Sequence, residues 1–221
     1  MSINLQSELE KVCKGMVWDV EGILHTDKRV SPLPAESRMV TEIFQSMMID
    51  KLEKWAGLHD LKLIDNAEFG RGYPDMTLEM NGDLVAIDIK SARFKKGDRV
   101  SRMALGTYNG YFLHPDKKKL HKKTMCYNDY SSHWIVGIIY EWHEKKETRD
   151  MVVIKTICVG EKWQFAGRIS GSGDTANIGG MDSLKRLQAR ESEFKNNEEF
   201  EKYWRDYCIR HPRRGTKIPI D

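Results

Sequence analysis

Apolar and polar residues follow two periods along this chain, one of about 3.6 and one of 2. Met39, Val40, Ile43, Phe44, Met47, Met48, Leu52 and Trp55 recur at helical spacing and predict an amphipathic helix over about 36–55, with Gly57 as its stop. Phe200, Tyr203, Trp204 and Tyr207 predict a second helix over about 197–210. The near-continuous apolar runs 133–140 and 151–159 read as two buried strands, and the charged stretch 141–150 between them as a surface turn. Strict alternation appears on both sides of Asn81-Gly82, from Tyr73 to Met80 and from Asp83 to Lys90. Asn-Gly between alternating runs predicts a tight hairpin, because both turn residues tolerate positive φ. Strands mixed with helices predict an α/β (α+β) fold, a mixed β-sheet flanked by helices, in a single domain over 1–221.

The hairpin register assigns the chemistry. A two-residue turn pairs Met80 with Asp83, Leu78 with Val85 and Met76 with Ile87, and brings Asp75 opposite Asp88. One face then carries Met76, Leu78, Met80, Val85, Ile87 and Ile89, and the other Asp75, Thr77, Glu79, Ala86, Asp88 and Lys90. Directly opposed like charges repel, so two acids kept at that spacing point to a divalent cation between them. The same repulsion predicts that deleting one acid stabilises the metal-free protein. The spacing Pro74-Asp75…Asp88-Ile89-Lys90 resembles the PD…(D/E)xK motif of a nuclease superfamily. Taken alone, the motif fits a solvated hairpin face equally well.

Composition narrows the class. The chain has 221 residues, 40% hydrophobic and 31% charged, which is ordinary for a globular protein. A net charge of only +3 means that affinity for nucleic acid has to come from local patches. Cys13, Cys126, Cys158 and Cys208 form no CxxC pair and read as reduced thiols. No signal-peptide pattern opens the sequence and no apolar run approaches membrane-spanning length, so a cytoplasmic protein with no membrane partner is expected.

Three stretches are suited to nucleic acid. Gly171-Ser172-Gly173-Asp174-Thr175-Ala176-Asn177, within the small-residue run 171–180, lacks phosphate-loop glycine spacing but suits close backbone approach to base edges. Lys117, Lys118 and Lys119 head a run of five lysines in seven residues that suits phosphates. The loop 66–72, with Phe69, Gly70 and Arg71, leads directly into the Pro74-Asp75 strand. The neutral alternatives are a flexible glycine loop, a solvated charge run and an arginine paired with Asp65 or Glu68. His133, inside an apolar run, reads as a core or edge residue.

Collinear blocks then carry a closer likeness. They are Asp19-Val20…Gly22-Ile23, Tyr73-Pro74-Asp75, Ile87-Asp88-Ile89-Lys90, Leu105-Gly106…Tyr108, His133-Trp134-Ile135, Lys162-Trp163…Ala166-Gly167, the 171–179 loop, and Glu199-Phe200…Tyr203-Trp204. Together they resemble the EcoRV-like type II restriction endonucleases. The resemblance implies a restriction-endonuclease-like core and a homodimer that cuts both strands of a short palindrome in double-stranded DNA, GATATC or a variant. It implies Mg²⁺ dependence, blunt ends with 5′-phosphates and a companion DNA methyltransferase. Asp75, Asp88 and the Ile89 carbonyl would hold the metal, and Lys90 would serve the attacking water. Residues 171–177 would read the major groove, residues 68–72 the minor groove, and Ser91 would lie near the scissile phosphate. Three departures stand out. Gln45 occupies the place of a helix glutamate, with Glu42 one turn earlier as a possible substitute. Asp174 replaces an asparagine, and the minor-groove loop has Phe69 and Arg71 in place of glutamines. The competing readings are a repair or junction-resolving nuclease on the same core, and a non-catalytic DNA-binding relative.

Overall fold

Helix α1 (Leu5–Cys13), a short antiparallel pair β1 (Ile23–Leu24) and β2 (Val30–Ser31), and the long helix α2 (Ser37–Leu58) open the chain. Strands β3 (Lys62–Asp65), β4 (Met76–Met80), β5 (Asp83–Arg93), β6 (Ala104–Thr107), β7 (Ser132–Trp142) and β8 (Val152–Glu161) follow. The single-turn helix α3 (Lys162–Phe165) leads into β9 (Ala166–Ser170) and β10 (Asn177–Gly180), then helices α4 (Leu184–Ala189) and α5 (Asn197–Arg210). The structure is a computed structural model and describes residues 3–66, 73–113, 126–144, 146–171 and 176–211.

The Asn81-Gly82 turn forms as its sequence dictates, with φ of 54° and 86°, and sets the register Met80↔Asp83, Leu78↔Val85, Met76↔Ile87. This hairpin is the middle of a five-stranded sheet of order β3-β4-β5-β7-β8. Neighbours are antiparallel except β5 and β7, which run parallel. The sheet is therefore mixed and covered on both faces, which is the α/β architecture the sequence predicts. On one face, Met76, Leu78, Val85, Ile87, Ile89, Val136 and Ile138 pack against Leu9 of α1 and Val40, Phe44, Met48 and Leu52 of α2. On the other, Ala86, Ile135, Ile139 and Cys158 pack under a small antiparallel sheet of order β6-β10-β9 and under Phe200 and Trp204 of α5.

The second covering layer changes the meaning of the hairpin's polar face. That face is not solvated: Thr77 is buried against Asn66 and Tyr130, and Asp88 against Lys90 and Lys162. Glu79, farther out, pairs with Lys62 of β3 at 2.5 Å. Helix α2 runs through Gly57 to Leu58, past the predicted stop. The left-handed residue that ends it is Asp60, with φ 55°. Leu61 N donates to Ala56 O at 2.9 Å, the bond that closes a helix end of this kind. Strand β7 extends beyond its predicted run because Glu141 and Trp142 still pair with Val153 and Val152, and β8 extends beyond its own because Gly160 and Glu161 pair with Ile135 and Trp134. Helix α5 has the predicted bounds; Asn196 caps it by accepting from Glu199 N, and Phe200, Trp204 and Cys208 form its buried stripe. The four cysteines are buried thiols.

Candidate active site

Asp75 lies immediately before β4, and Asp88 and Lys90 stand on β5, on the face away from α2. Backbone and helix fix the Asp75 carboxylate. Its Oδ2 accepts from Ile89 N at 2.7 Å, and its Oδ1 accepts from Nε2 of Gln45 on α2 at 3.2 Å. The two acids are tied together by a contact from Asp75 N to Asp88 Oδ1 at 3.4 Å.

Lys90 sits at the centre. Its Nζ is 3.3 Å from Asp75 Oδ2, 3.3 Å from Asp88 Oδ1 and 3.3 Å from the Ile89 carbonyl. A cation already occupies the point where these three oxygens converge. All three are hard oxygen donors of the kind that hold Mg²⁺ or Ca²⁺. No group of three or more His, Cys, Asp or Glu side chains gathers among the described residues. Two carboxylates and a carbonyl nevertheless fit Mg²⁺, which is commonly held by one or two carboxylates with water and substrate phosphate completing its shell.

Burial is graded across the site. The side chains of Asp75 and Lys90 keep 16% and 21% of their surface, while Asp88 keeps 3% and Lys162 1%. The site thus opens at Asp75 and Lys90 and is closed behind Asp88. That closed end holds a residue the sequence reading quotes only as part of a family block. Lys162, first residue of α3, places Nζ 3.4 Å from Asp88 Oδ2. Among the described residues neither atom has a hydrogen-bond partner, so the contact is an ion pair without hydrogen-bond geometry. The ammonium lies over the ring of Tyr73 at 3.9 Å and that of Tyr111 at 4.6 Å. Beside this box His133 stacks on Tyr127 with centroids 3.8 Å apart and shares a 2.6 Å hydrogen bond with the Tyr73 hydroxyl. His133 is thus a satisfied core residue, and burial drives its pKa well below the ordinary value.

The electrostatics follow this arrangement. Burial raises the Asp75 carboxyl; Lys90 pulls it back and Asp88 pushes it up again, leaving it raised. Burial also acts on Asp88, but Lys90 and Lys162 together outweigh it and hold that carboxyl below its usual value. Burial pulls Lys90 down, yet Asp75 and Asp88 win and hold it above the ordinary lysine value. Lys162 is the reverse case: desolvation outweighs Asp88, and its pKa falls to about 8.

The remaining predicted residues divide. Glu42 turns to solvent with 64% of its side chain exposed and faces Arg38 at 3.8 Å; the α2 residue that touches the acids is Gln45. Ser91 is a neighbour of Lys90 in sequence but bonds Thr41 of α2 at 2.8 Å. Gly171 and Asn177 close the base of the glycine loop through Gly171 N to Asn177 O, 2.9 Å. A Cβ on Gly179 would lie 2.3 Å from Ile169 O, so glycine is required for β9 and β10 to approach there. Phe69, Gly70, Arg71, Lys117, Lys118, Lys119, Ser172, Gly173, Asp174 and Thr175 lie outside the described residues.

Lys162 carries no sequence signal of its own. A lysine directly after an apolar strand reads as the solvated start of a loop. Only the pairing Asp88↔Ile135 and Ile135↔Gly160 across β5, β7 and β8 shows that this strand end arrives level with Asp88.

The model of the family Restriction endonuclease EcoRV matches residues 14–218. The Type II restriction enzyme EcoRV of Escherichia coli is 26% identical over 207 residues, covering 86% of this chain and 82% of that protein. EcoRV-like nucleases act on DNA and use a divalent metal ion. With collinear similarity over nearly its whole length and a mixed sheet carrying paired acids and a lysine, the chain belongs to the EcoRV family of type II restriction endonucleases and is a site-specific deoxyribonuclease.

Proposed function

We propose that this chain, acting as one endonuclease domain, hydrolyses both strands of double-stranded DNA at a short palindrome, GATATC or a close variant. On this reading it works as a Mg²⁺-dependent homodimer and leaves blunt ends with 5′-phosphates. The observation that carries the reading is the convergence of Asp75 Oδ2, Asp88 Oδ1 and the Ile89 carbonyl on one cation position, each 3.3 Å from Lys90 Nζ. With the Lys90 ammonium moved aside from these oxygens, they would hold Mg²⁺, which would supply Lewis acidity and neutralise charge on the scissile phosphate. The chain's own groups do the rest. Gln45 Nε2 and Ile89 N hold the two oxygens of Asp75 in place, so that carboxylate needs little reorganisation when DNA arrives. Lys90, partly exposed at the mouth, orients the attacking water and stabilises the charge that builds on the phosphoryl oxygens.

Residues 171–177 would read the major groove and residues 68–72 the minor groove, with Lys117, Lys118 and Lys119 on phosphates. The homodimer is supported by the hairpin β1–β2, where Ile23, Leu24 and Val30 expose apolar surface on a two-stranded sheet too small to be stable by itself. A two-fold protein suits a two-fold site. A cytoplasmic setting with a companion DNA methyltransferase follows from the need to protect host DNA. Incubation of supercoiled plasmids with Mg²⁺, followed by sequencing of the ends, tests the reading. Discrete blunt fragments sharing one palindrome are expected, with none in EDTA. Smears, or cutting confined to branched DNA, would refute it.

A further inference from the structure

We propose that Lys162 is a positioning residue for Asp88: its buried ammonium clamps Asp88 Oδ2, so that Oδ1 alone faces the cation position shared with Asp75 and Ile89. This rests on the reading of Asp75 and Asp88 as metal ligands.

Three features support the assignment. First, Lys162 is 1% exposed, and the carboxylate partner in contact with it is Asp88, at 3.4 Å. An ammonium is unfavourable in such a place unless an opposite charge compensates it, and a methionine of similar length would fill the space without that penalty. Second, the faces of Tyr73, Tyr111 and Tyr127 lie 3.9, 4.6 and 5.7 Å from Nζ. These rings hold a cation in place while offering it no competing anion. Third, the two acids and the two lysines form a set with no net charge. Two carboxylates can therefore stay buried together in the protein without metal, each already oriented.

The division of Asp88 has a consequence for binding. With Oδ2 occupied by Lys162, Asp88 offers a cation one oxygen. Without Lys162 the carboxylate can turn, offer both oxygens and bind free of a neighbouring positive charge. A metal ion should then bind more tightly but be held in the wrong place relative to Lys90. Charges at this range shift a partner's equilibrium by about one to three powers of ten.

The test is Mn²⁺ titration of DNA-free Lys162→Met, Asp88→Asn and wild type by electron paramagnetic resonance, alongside cleavage kinetics at saturating metal. Lys162→Met is expected to bind Mn²⁺ roughly tenfold more tightly, with kcat reduced and KM for DNA little changed. A merely structural lysine would lower thermal stability and leave Mn²⁺ affinity as in wild type; that result overturns the proposal. If Asp88→Asn leaves Mn²⁺ binding intact, the metal-site reading itself fails and this inference with it. If Asp88→Asn abolishes binding but Lys162→Met does not alter it, only the role of Lys162 fails. Should Lys162→Met not fold, the double variant Asp88→Asn/Lys162→Met decides. Recovery of folding shows that Lys162 is there for the Asp88 charge, and continued failure to fold shows that it is there for packing.

Discussion

Asp88→Ala should destabilise the metal-free protein, the opposite of what the hairpin's like-charge repulsion suggests in isolation. Relief of a directly opposed like-charge pair stabilises by at most about 1 kcal/mol. Against this, Asp88 is 3% exposed and lies between two lysines, at 3.3 Å from Lys90 Nζ and 3.4 Å from Lys162 Nζ. Deleting one partner of a buried ion pair costs about 3–5 kcal/mol, because the other charge stays behind uncompensated. Lys90 keeps Asp75 in contact, but Lys162, among the described residues, keeps tyrosine faces and no carboxylate within ion-pair distance. The net expectation is a loss of about 2–4 kcal/mol, or roughly 5–15 °C in melting temperature for a chain of this size. Thermal and urea unfolding followed by circular dichroism in EDTA would measure it. The sign of the pH dependence is also set. The folded-state pKa of Asp88 is depressed, so its stabilising contribution is complete above the ordinary carboxylate pKa, about 4, and is lost as pH falls below that. The gap between wild type and Asp88→Ala should therefore be full at neutral pH and close on acidification. Asp75→Ala should cost less, since burial already disfavours that charge. An Asp88→Ala protein that melts at or above wild type in EDTA would overturn this account of the site.

Lys90→Ala is expected to abolish plasmid cleavage while the protein stays folded, and residual cutting above a few per cent would remove Lys90 from the mechanism. Gln45→Glu replaces the donor to Asp75 Oδ1 with a third acid; it should lower the melting temperature in EDTA and make added Mg²⁺ more stabilising than in wild type. Glu42→Gln, on the exposed side of α2, should leave cleavage rate and Mg²⁺ dependence unchanged, and a tenfold loss would restore Glu42 to the site. Burial pushes the Cys13 and Cys158 thiols to about 12 and about 11, so both should resist a thiol reagent at neutral pH until denaturant is added. Asp174→Asn should keep a GATATC site and cut it at least as well, since asparagine can both donate to and accept from adenine; sequenced ends from both proteins would show whether the target differs.

Much of the site is legible in order along the chain because it is built from a hairpin. A two-residue turn at Asn81-Gly82 leaves one register, and a strand period of 2 then sorts Met76, Leu78, Val85 and Ile87 from Asp88 and Lys90. The same local logic sets α5, whose cap, stripe and bounds lie within its own residues. The stop of α2 was less legible, because the left-handed position is taken by Asp60, which visits that conformation less freely than glycine, and Gly57 nearby gave the stronger signal. What lay beyond the sequence was decided between elements distant along the chain. Whether the hairpin's polar face meets water depended on Tyr130, Lys162 and the rings of Tyr73 and Tyr111 closing over it. Which α2 residue reaches Asp75, Gln45 and not Glu42, depended on how the helix is seated on the sheet. Lys162 became a partner of Asp88 only because β7 runs parallel to β5 and β8 returns antiparallel beside it. Periodicity reports which face of its own element a residue occupies; it carries no information about which distant charge the packed fold brings to that face, and that placement sets both the cost of burial and the partner that offsets it.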